Sequence, residues 1–166
     1  MSAEKPASIF GLDPSSKPPV SVDEKPPAAV LDTNVVLDWL VFRDARAAAL
    51  AGAVEGGRLR WMACASMRQE LSHMLAHRTL SSWAPDPARA LAVFDALATL
   101  RGEPPPSRLK CTDADDQVFI DLAVASGARW LVTHDRALLR LARRARAFGV
   151  TVLTPSAWCA ESPALG

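Results

Sequence analysis

Ala29-Val30-Leu31-Asp32-Thr33-Asn34 is the part of this sequence that says most about its structure. A short apolar run, typical of a buried strand, ends abruptly at a carboxylate that two small polar residues follow. In an open parallel sheet, ligands and catalytic groups collect at the carboxyl ends of the strands. The pattern therefore predicts a buried strand that delivers Asp32 to the functional edge of a sheet.

The same pattern recurs in Trp130-Leu131-Val132-Thr133-His134-Asp135. Apolar runs suited to strands alternate with segments suited to helices along the chain, and this alternation is typical of an α/β fold with a parallel sheet. The predicted strands are 28–32, 59–63, 109–111, 130–133 and 150–153. The predicted helices include 34–40, 45–54, 88–100 and 136–148.

Two further helices are predicted from their starting residues. Ser66 is a good N-cap, and Gln69 three residues later completes a capping box. Asp113 is a plausible N-cap for the apolar helix over 119–124, with Asp116 at the third helical position. These two helices each follow a predicted strand, so their first turns are expected at the same edge of the sheet as Asp32.

The bulk composition predicts one globular domain. The chain has 166 residues, 49% of them hydrophobic, and a formal net charge of +1. No apolar run reaches the roughly 20 residues that a membrane-spanning helix needs, and the N-terminus does not resemble a secretory signal. Three widely spaced cysteines form no disulfide or zinc pattern, so we expect free thiols in a reducing, cytoplasmic compartment.

The expected domain organisation has three parts. Residues 1–27 hold six of the 13 prolines and little apolar content, which predicts a flexible leader. The folded domain is expected over 28–160, and 161–166 is expected to be a C-terminal tail.

Four acids have positions that suit a cation site. They are expected at strand ends or in the first turns of helices, on one edge of the sheet: Asp32, Glu70, Asp116 and Asp135. Carboxylates brought into one pocket repel each other, so they must share protons or bind cations, and oxygen-only sites suit Mg²⁺ or Mn²⁺. The residues alone leave another reading open, because an Asp at a helix start is often only a cap and most helix glutamates are solvated.

Four segments resemble, in order, the motifs of the PIN-domain family of metal-dependent ribonucleases, with bacterial toxin–antitoxin PIN proteins as the nearest subgroup. The resemblance extends from residue 28 to about 157. The segments are AVLDTNVVLD (29–38), RQEL (68–71), CTDADDQVFIDLA (111–123) and LVTHDRALL (131–139).

This resemblance implies a three-layer α/β/α sandwich around a central parallel sheet. It also implies that Asp32, Glu70, Asp116 and Asp135 bind one or two Mg²⁺ or Mn²⁺ ions and form the catalytic site. The supporting residues that it implies are Thr33, Asn34 and Thr133, with Asp113 as a cap or an outer ligand.

Two features near the last motif have more than one interpretation. His134 departs from the family pattern, and it either touches the scissile phosphate or, as we favour, is a solvated loop histidine. The arginines of the predicted 136–148 helix form one side of an amphipathic surface helix. They would bind RNA phosphates or an acidic partner such as an antitoxin segment: Arg136, Arg140, Arg143 and Arg144.

The leading hypothesis is a metal-dependent endoribonuclease that acts as the toxin of a bacterial type II toxin–antitoxin pair. Its expected partners are an RNA substrate, an antitoxin protein and a second copy of the chain, which would bind through apolar residues around Trp39 or in the 88–100 helix. The alternative is a PIN-like RNA-binding or scaffold module without activity. A phosphatase of the haloacid-dehalogenase type is disfavoured, because Asn34 stands where such enzymes need a second Asp.

Overall fold

A computed structural model of the chain describes residues 25–165. Its centre is a five-stranded sheet in which every pairing is parallel. The strands are β1 (Ala28–Leu31), β2 (Arg60–Cys64), β3 (Ala98–Arg101), β4 (Trp130–Val132) and β5 (Thr151–Leu153). The prediction of a leader falls mostly on residues 1–24, which lie outside the described part of the chain.

The strand order is β3-β2-β1-β4-β5, so the chain reverses its direction of travel across the sheet beside β1. From β1 the chain moves outward to β2 and β3, and it then crosses back to β4 and β5 on the other side. In the register of β1 and β4, Leu31 lies opposite Val132, and the Asp32 amide donates to the Val132 carbonyl at 3.0 Å. Asp32 and Thr133 therefore leave the sheet side by side at its topological switch point.

The helices surround this sheet. They are α1 (Thr33–Leu37), α2 (Ala45–Glu55), α3 (Ala65–Leu75), α4 (Pro87–Leu97), α5 (Gln117–Ala125), α6 (Arg136–Leu139), α7 (Ala142–Ala145) and α8 (Pro155–Glu161). A π-helical turn, Asp38–Phe42, continues α1, and 3-10 turns span Arg78–Trp83 and Arg146–Phe148. All residues of β1 and β4 are buried, so both faces of the sheet are covered, as in the predicted α/β fold.

The core is built around aromatic side chains on the strands. Trp61 of β2 packs edge-to-face on Phe94 of α4, with ring centroids 4.8 Å apart, and the Trp39 ring lies 5.7 Å from the Trp61 ring. Trp130 of β4 packs in the same way on Trp158 of α8, at 5.9 Å. These contacts attach α4, the π-helical turn and α8 to the sheet.

The third strand was predicted at the wrong place. Residues 98–100, predicted as the end of a helix, form β3 together with Arg101, and β3 pairs with β2 directly after α4 with no intervening loop. Residues 109–111 are a loop instead. Their backbone is held by the Gln117 side chain, which donates to the Leu109 carbonyl and accepts from the Cys111 amide, both at 2.8 Å. Leu109 belongs to this loop, and its side chain is buried in the core. Its apolar character therefore reflects burial and does not indicate a strand.

The predicted helix starts also need correction. Helix α3 begins at Ala65, and Ser66 donates from both its amide and its hydroxyl to Glu103 instead of capping the helix. Asp113 caps a turn by accepting from the Asp115 amide at 3.0 Å, and Asp116 directly precedes α5.

Two predicted helices are interrupted. The segment 34–40 is α-helical only up to Leu37, beyond which the π-helical turn begins. The segment 136–148 is divided into α6, α7 and a 3-10 turn. Helix α8 was not predicted from the sequence.

The C-terminal residues contact the domain. Ser162 is buried, and the Leu165 carbonyl accepts from Arg58 Nε at 3.1 Å. The cysteines are free thiols: Cys64 is buried, and Cys111 and Cys159 are half-buried. Between residues 25 and 165, no helix has the length and apolarity needed to span a bilayer.

Asp121 gives a test of how the long loop before α5 is fixed. Its buried carboxylate accepts from the Ser107 amide and from Gln117 Nε2, both at 2.8 Å. Because Asp121→Ala leaves the Ser107 amide without its acceptor and removes one of the two bonds of Gln117 Nε2, we expect the free energy of unfolding to fall by about 1–3 kcal/mol in urea denaturation. Asp95→Ala, which breaks only an exposed ion pair with Arg68, should cost less than about 1 kcal/mol. Equal losses in the two variants would contradict this account.

Candidate metal centre

Asp32 is the most buried acid at the carboxyl edge of the sheet, with 2% of its surface exposed. Its extended backbone ends β1, and its carboxylate caps α1 by accepting from the Asn34 amide at 3.3 Å. The other carboxylate oxygen accepts from the Thr133 hydroxyl of the adjacent strand end at 2.7 Å. Both oxygens are thus oriented by donors from the two sides of the switch point.

Thr133 also fixes the second strand-end acid. Its hydroxyl oxygen accepts from the Asp135 amide at 2.9 Å. The Asp135 carboxylate in turn caps α6 by accepting from the amides of Ala137 at 2.6 Å and Leu138 at 3.0 Å. One threonine therefore connects Asp32 and Asp135.

Glu70 reaches the same edge from α3, where it is half-buried. Burial raises the pKa of Glu70, a hydrogen bond from the Thr33 side chain opposes that rise, and the charges of Asp32 and Asp115 add to it. Burial is also the main reason why the pKa of Asp32 is raised, against its bonds with Thr133 and Asn34, and the charge of Asp135 raises it further. These carboxylates therefore lie within electrostatic range of one another.

Asp116 is the most perturbed member of the group. Its pKa is raised from 3.8 to about 7, first by burial and then by the charges of four other carboxylates. In decreasing order of effect, these are Asp32, Asp135, Asp113 and Glu70. The fold thus brings all four predicted ligands, with Asp113 beside them, to one electrostatically coupled cluster. A bound cation would relieve this repulsion.

The donor set fits a hydrated divalent cation. The cluster is built from carboxylate oxygens, which suit Mg²⁺ or Mn²⁺. Within residues 25–165, no three acidic, histidine or cysteine side chains are arranged to hold an ion directly. Mg²⁺ commonly keeps several waters and takes only one or two carboxylates from the protein, so water-mediated contacts would complete such a site.

His134 is not the solvated loop histidine that we favoured from the sequence. Its Nε2 lies 2.7 Å from Asp38 Oδ2, and the His134 and Asp38 side chains are 32% and 15% exposed. Asp38 could not be predicted as a partner, because no spacing pattern connects it with a histidine 96 positions away.

Asp115 is a second acid that sequence reasoning did not assign to the site. Together with Ser66, Glu70 and Val118, it lines a cleft of about 420 Å³ between α3 and the start of α5. It lies exposed in the acidic run before α5, and that run alone does not indicate which of its carboxylates lies near Glu70.

The predicted arginines lie at the surface, on the short helices that follow Asp135. All four are exposed, while the leucines between them are buried or half-buried. In the described chain these arginines form no ion pair with an acid: Arg136, Arg140, Arg143 and Arg144.

The family model described as "PIN domain" matches residues 28–137, which include all four acids of the cluster. The chain belongs to the PIN-domain family. PIN domains are generally nucleases that use divalent metal ions, and this agrees with the donor set found here. The resemblance that the four sequence motifs indicated is thus confirmed.

A solved structure with a similar fold is VapBC2 from Rickettsia felis, bound to a DNA fragment from their promoter. The likeness has a TM-score of 0.50 at 11% sequence identity and covers 75% of this chain and 96% of the VapBC2 chain, so it concerns the fold alone. No curated protein matches the sequence.

Thr133→Val should test how this PIN domain fixes Asp32. The substitution keeps the size of the side chain but removes the donor to Asp32 and the acceptor of the Asp135 amide. We expect the pKa of Asp32 to rise further, as measured by carbon NMR of the carboxyl group, and the free energy of unfolding to fall by about 1–3 kcal/mol. Thr99→Val on the exposed strand β3 is the control. An unchanged Asp32 titration in Thr133→Val would refute the assigned bond.

The raised pKa of Asp116 makes the stability of the folded protein depend on pH. Because its pKa is about 7 in the folded protein and near 3.8 in the unfolded chain, the folded state binds the proton more tightly. Stability should therefore decline as the pH rises from 4 towards 8. With chelator present, Asp116→Asn should melt a few degrees above wild type at pH 8, and this difference should vanish near pH 4. A variant less stable than wild type at pH 8 would contradict the assigned repulsion.

Proposed function

We propose that this PIN domain is a metal-dependent endoribonuclease that hydrolyses RNA phosphodiester bonds with Mg²⁺ or Mn²⁺. The observation that carries the proposal is the convergence of Asp32, Glu70, Asp116 and Asp135 at one edge of the sheet, close enough for the other three charges to raise the pKa of Asp116. Structural stability alone gives no reason to collect like charges at the switch point, whereas a cation site requires it.

In this proposal, Asp32, Glu70, Asp116 and Asp135 hold the cation. When bound, the cation would polarise the phosphodiester and lower the pKa of water at the site. Thr133 and the Asn34 amide keep the Asp32 carboxylate in one orientation. Thr33, at the start of α1, opposes the rise in the pKa of Glu70. Asp113, beside Asp116, is proposed as an outer residue of the cluster.

The exposed arginines after Asp135 are proposed to bind the RNA backbone. The first of them directly follows Asp135, the last acid of the cluster, and the others lie further along the chain: Arg136, Arg140, Arg143 and Arg144. An RNA strand bound to these arginines would pass the candidate centre. Phosphate contacts of this kind give affinity that is independent of sequence and falls with salt.

We further propose that the chain is the toxin of a type II toxin–antitoxin pair and acts in the cytoplasm. Its motifs resemble the bacterial toxin–antitoxin PIN proteins, and its fold is similar to that of the VapBC2 structure. An antitoxin protein is then its expected partner, and the homodimer stays a prediction. The alternative, a PIN-like module without activity, predicts that no Mn²⁺ binding depends on Asp32.

Asp32→Asn should separate these alternatives. The amide keeps the shape of the side chain but removes its charge, so we expect Mn²⁺-dependent cleavage of a panel of structured and single-stranded RNAs to fall by at least about 100-fold. Chelator should abolish cleavage by wild type. The matched control is Asp95→Asn, because Asp95 is an exposed acid of α4 that pairs only with Arg68. Full activity of Asp32→Asn would refute the assignment of the site.

A further inference from the structure

The start of α3 is held by an acid that none of the four sequence motifs includes. Cys64, the residue before the helix, makes no capping hydrogen bond with its side chain. Instead, Glu103 in the loop after β3 accepts from the Ser66 amide at 2.8 Å and from the Ser66 hydroxyl at 2.7 Å. Each bond uses one carboxylate oxygen, so Glu103 caps α3 from a position 37 residues further along the chain.

Glu103 makes this cap as a charged group. Partial burial raises the pKa of Glu103, but hydrogen bonds outweigh this effect and lower the pKa below its usual value. The donors are the hydroxyl and the amide of Ser66, the Cys64 side chain and the Ala65 amide. A carboxylate at the first turn of a helix also interacts favourably with the helix dipole, and hydrogen bonds to a charged acceptor are stronger than those to a neutral one.

The capped turn lies directly before Glu70, the acid that α3 brings to the candidate metal centre. Ser66 and Glu70 are four positions apart, so their side chains lie on the same face of the helix. Both line the cleft of about 420 Å³ that also contains Asp115. Glu70 is in turn hydrogen-bonded with the Thr33 side chain at the start of α1. Glu103 therefore holds the face of α3 from which Glu70 reaches the centre.

A second exposed acid contacts α3 on another face. Asp95 of α4 accepts from Arg68 Nε at 2.6 Å and from Arg68 Nη2 at 2.7 Å. Arg68 follows Ser66 by two positions, which is about 200° around the helix, so the two contacts lie on opposite sides of α3. Asp95 binds the end of a long side chain, whereas Glu103 binds the backbone of the first turn. Asp95 is therefore a control with the same charge.

We propose that Glu103 is a positioning residue of the metal centre, which places Glu70 by capping α3 and so determines how tightly the four acids bind their cation. The inference rests on the cation site of the proposed function. Residues that orient metal ligands commonly change metal affinity by about 10- to 100-fold when they are replaced, although they do not touch the ion. Misplacement of a functional group by about 1 Å is enough for losses of this size.

A purely stabilising cap makes a different prediction. Removing such a cap would lower the Tm, but protein that is still folded would bind the cation with wild-type affinity. If Glu103 positions Glu70, the folded variant itself binds the cation more weakly. The decisive quantity is therefore the Mn²⁺ dissociation constant of the folded protein.

The experiment is calorimetric titration of Mn²⁺ into the metal-free full chain, at neutral pH and at a temperature where circular dichroism shows the variants to be folded. We expect Glu103→Ala to bind Mn²⁺ about 10-fold more weakly than wild type. Glu103→Gln, which keeps an acceptor for the Ser66 amide but loses the charge, should bind about 3-fold more weakly. Asp95→Ala removes the same charge and one contact of α3, and it should keep the wild-type affinity.

RNA cleavage gives a second readout. Glu103→Ala should need about 10-fold more Mn²⁺ than wild type for its half-maximal rate, in proportion to the weaker binding. Asp95→Ala should need no more than wild type.

Wild-type Mn²⁺ affinity in folded Glu103→Ala would overturn the inference, as would equal losses in Glu103→Ala and Asp95→Ala. If Glu103→Ala does not fold, Glu103→Gln decides, and wild-type affinity in that variant would overturn the inference as well. Failure of wild type to bind Mn²⁺ in a manner that depends on Asp32 would instead count against the proposed function, and the inference would fall with it.

Discussion

The hydrogen bond from the Thr133 hydroxyl to the Asp32 carboxylate is the contact on which the rest of the site depends. It joins the ends of β1 and β4, where the chain reverses its direction across the sheet. The two residues are 101 positions apart in the sequence, and the bond between them is 2.7 Å long. The same hydroxyl accepts from the Asp135 amide, so the two strand-end acids share one anchor. Without this contact, a carboxylate as buried as Asp32 would have only the longer bond from Asn34.

The repulsion between the clustered carboxylates destabilises the edge of an otherwise well-packed sheet. Burial and mutual repulsion raise the pKa values of Asp32, Glu70 and Asp116, so these carboxylates destabilise the fold as they lose their protons. The apolar core beneath it, with Trp61 on Phe94 and complete burial of β1, supplies the rigidity that keeps such charges together. A destabilised cluster on a rigid scaffold is the arrangement expected of a site that is completed by a cation.

Much of this arrangement could be predicted from the sequence, because it follows from short-range patterns. The apolar runs that end at Asp32 and near Asp135 indicated parallel strands, and the alternation of elements indicated an α/β fold. The errors arose where tertiary contacts override local pattern. Residues 98–101 continue the helical pattern of α4 yet pair with β2, while 109–111 look like a strand and are held by Gln117 instead. The Asp38–His134 pair could not be predicted, since nothing local connects two residues so distant in sequence.

In the proposed function, Asp32, Glu70, Asp116 and Asp135 form one cation centre at the switch point. Crystals grown with Mn²⁺ and measured at the manganese absorption edge test it most directly, because anomalous scattering locates the ion independently of the protein density. We expect a peak among these four carboxylates, in contact with them directly or through water, and no such peak in crystals of Asp32→Asn. A fully ordered structure without a peak there, or with manganese bound only elsewhere, would contradict the account.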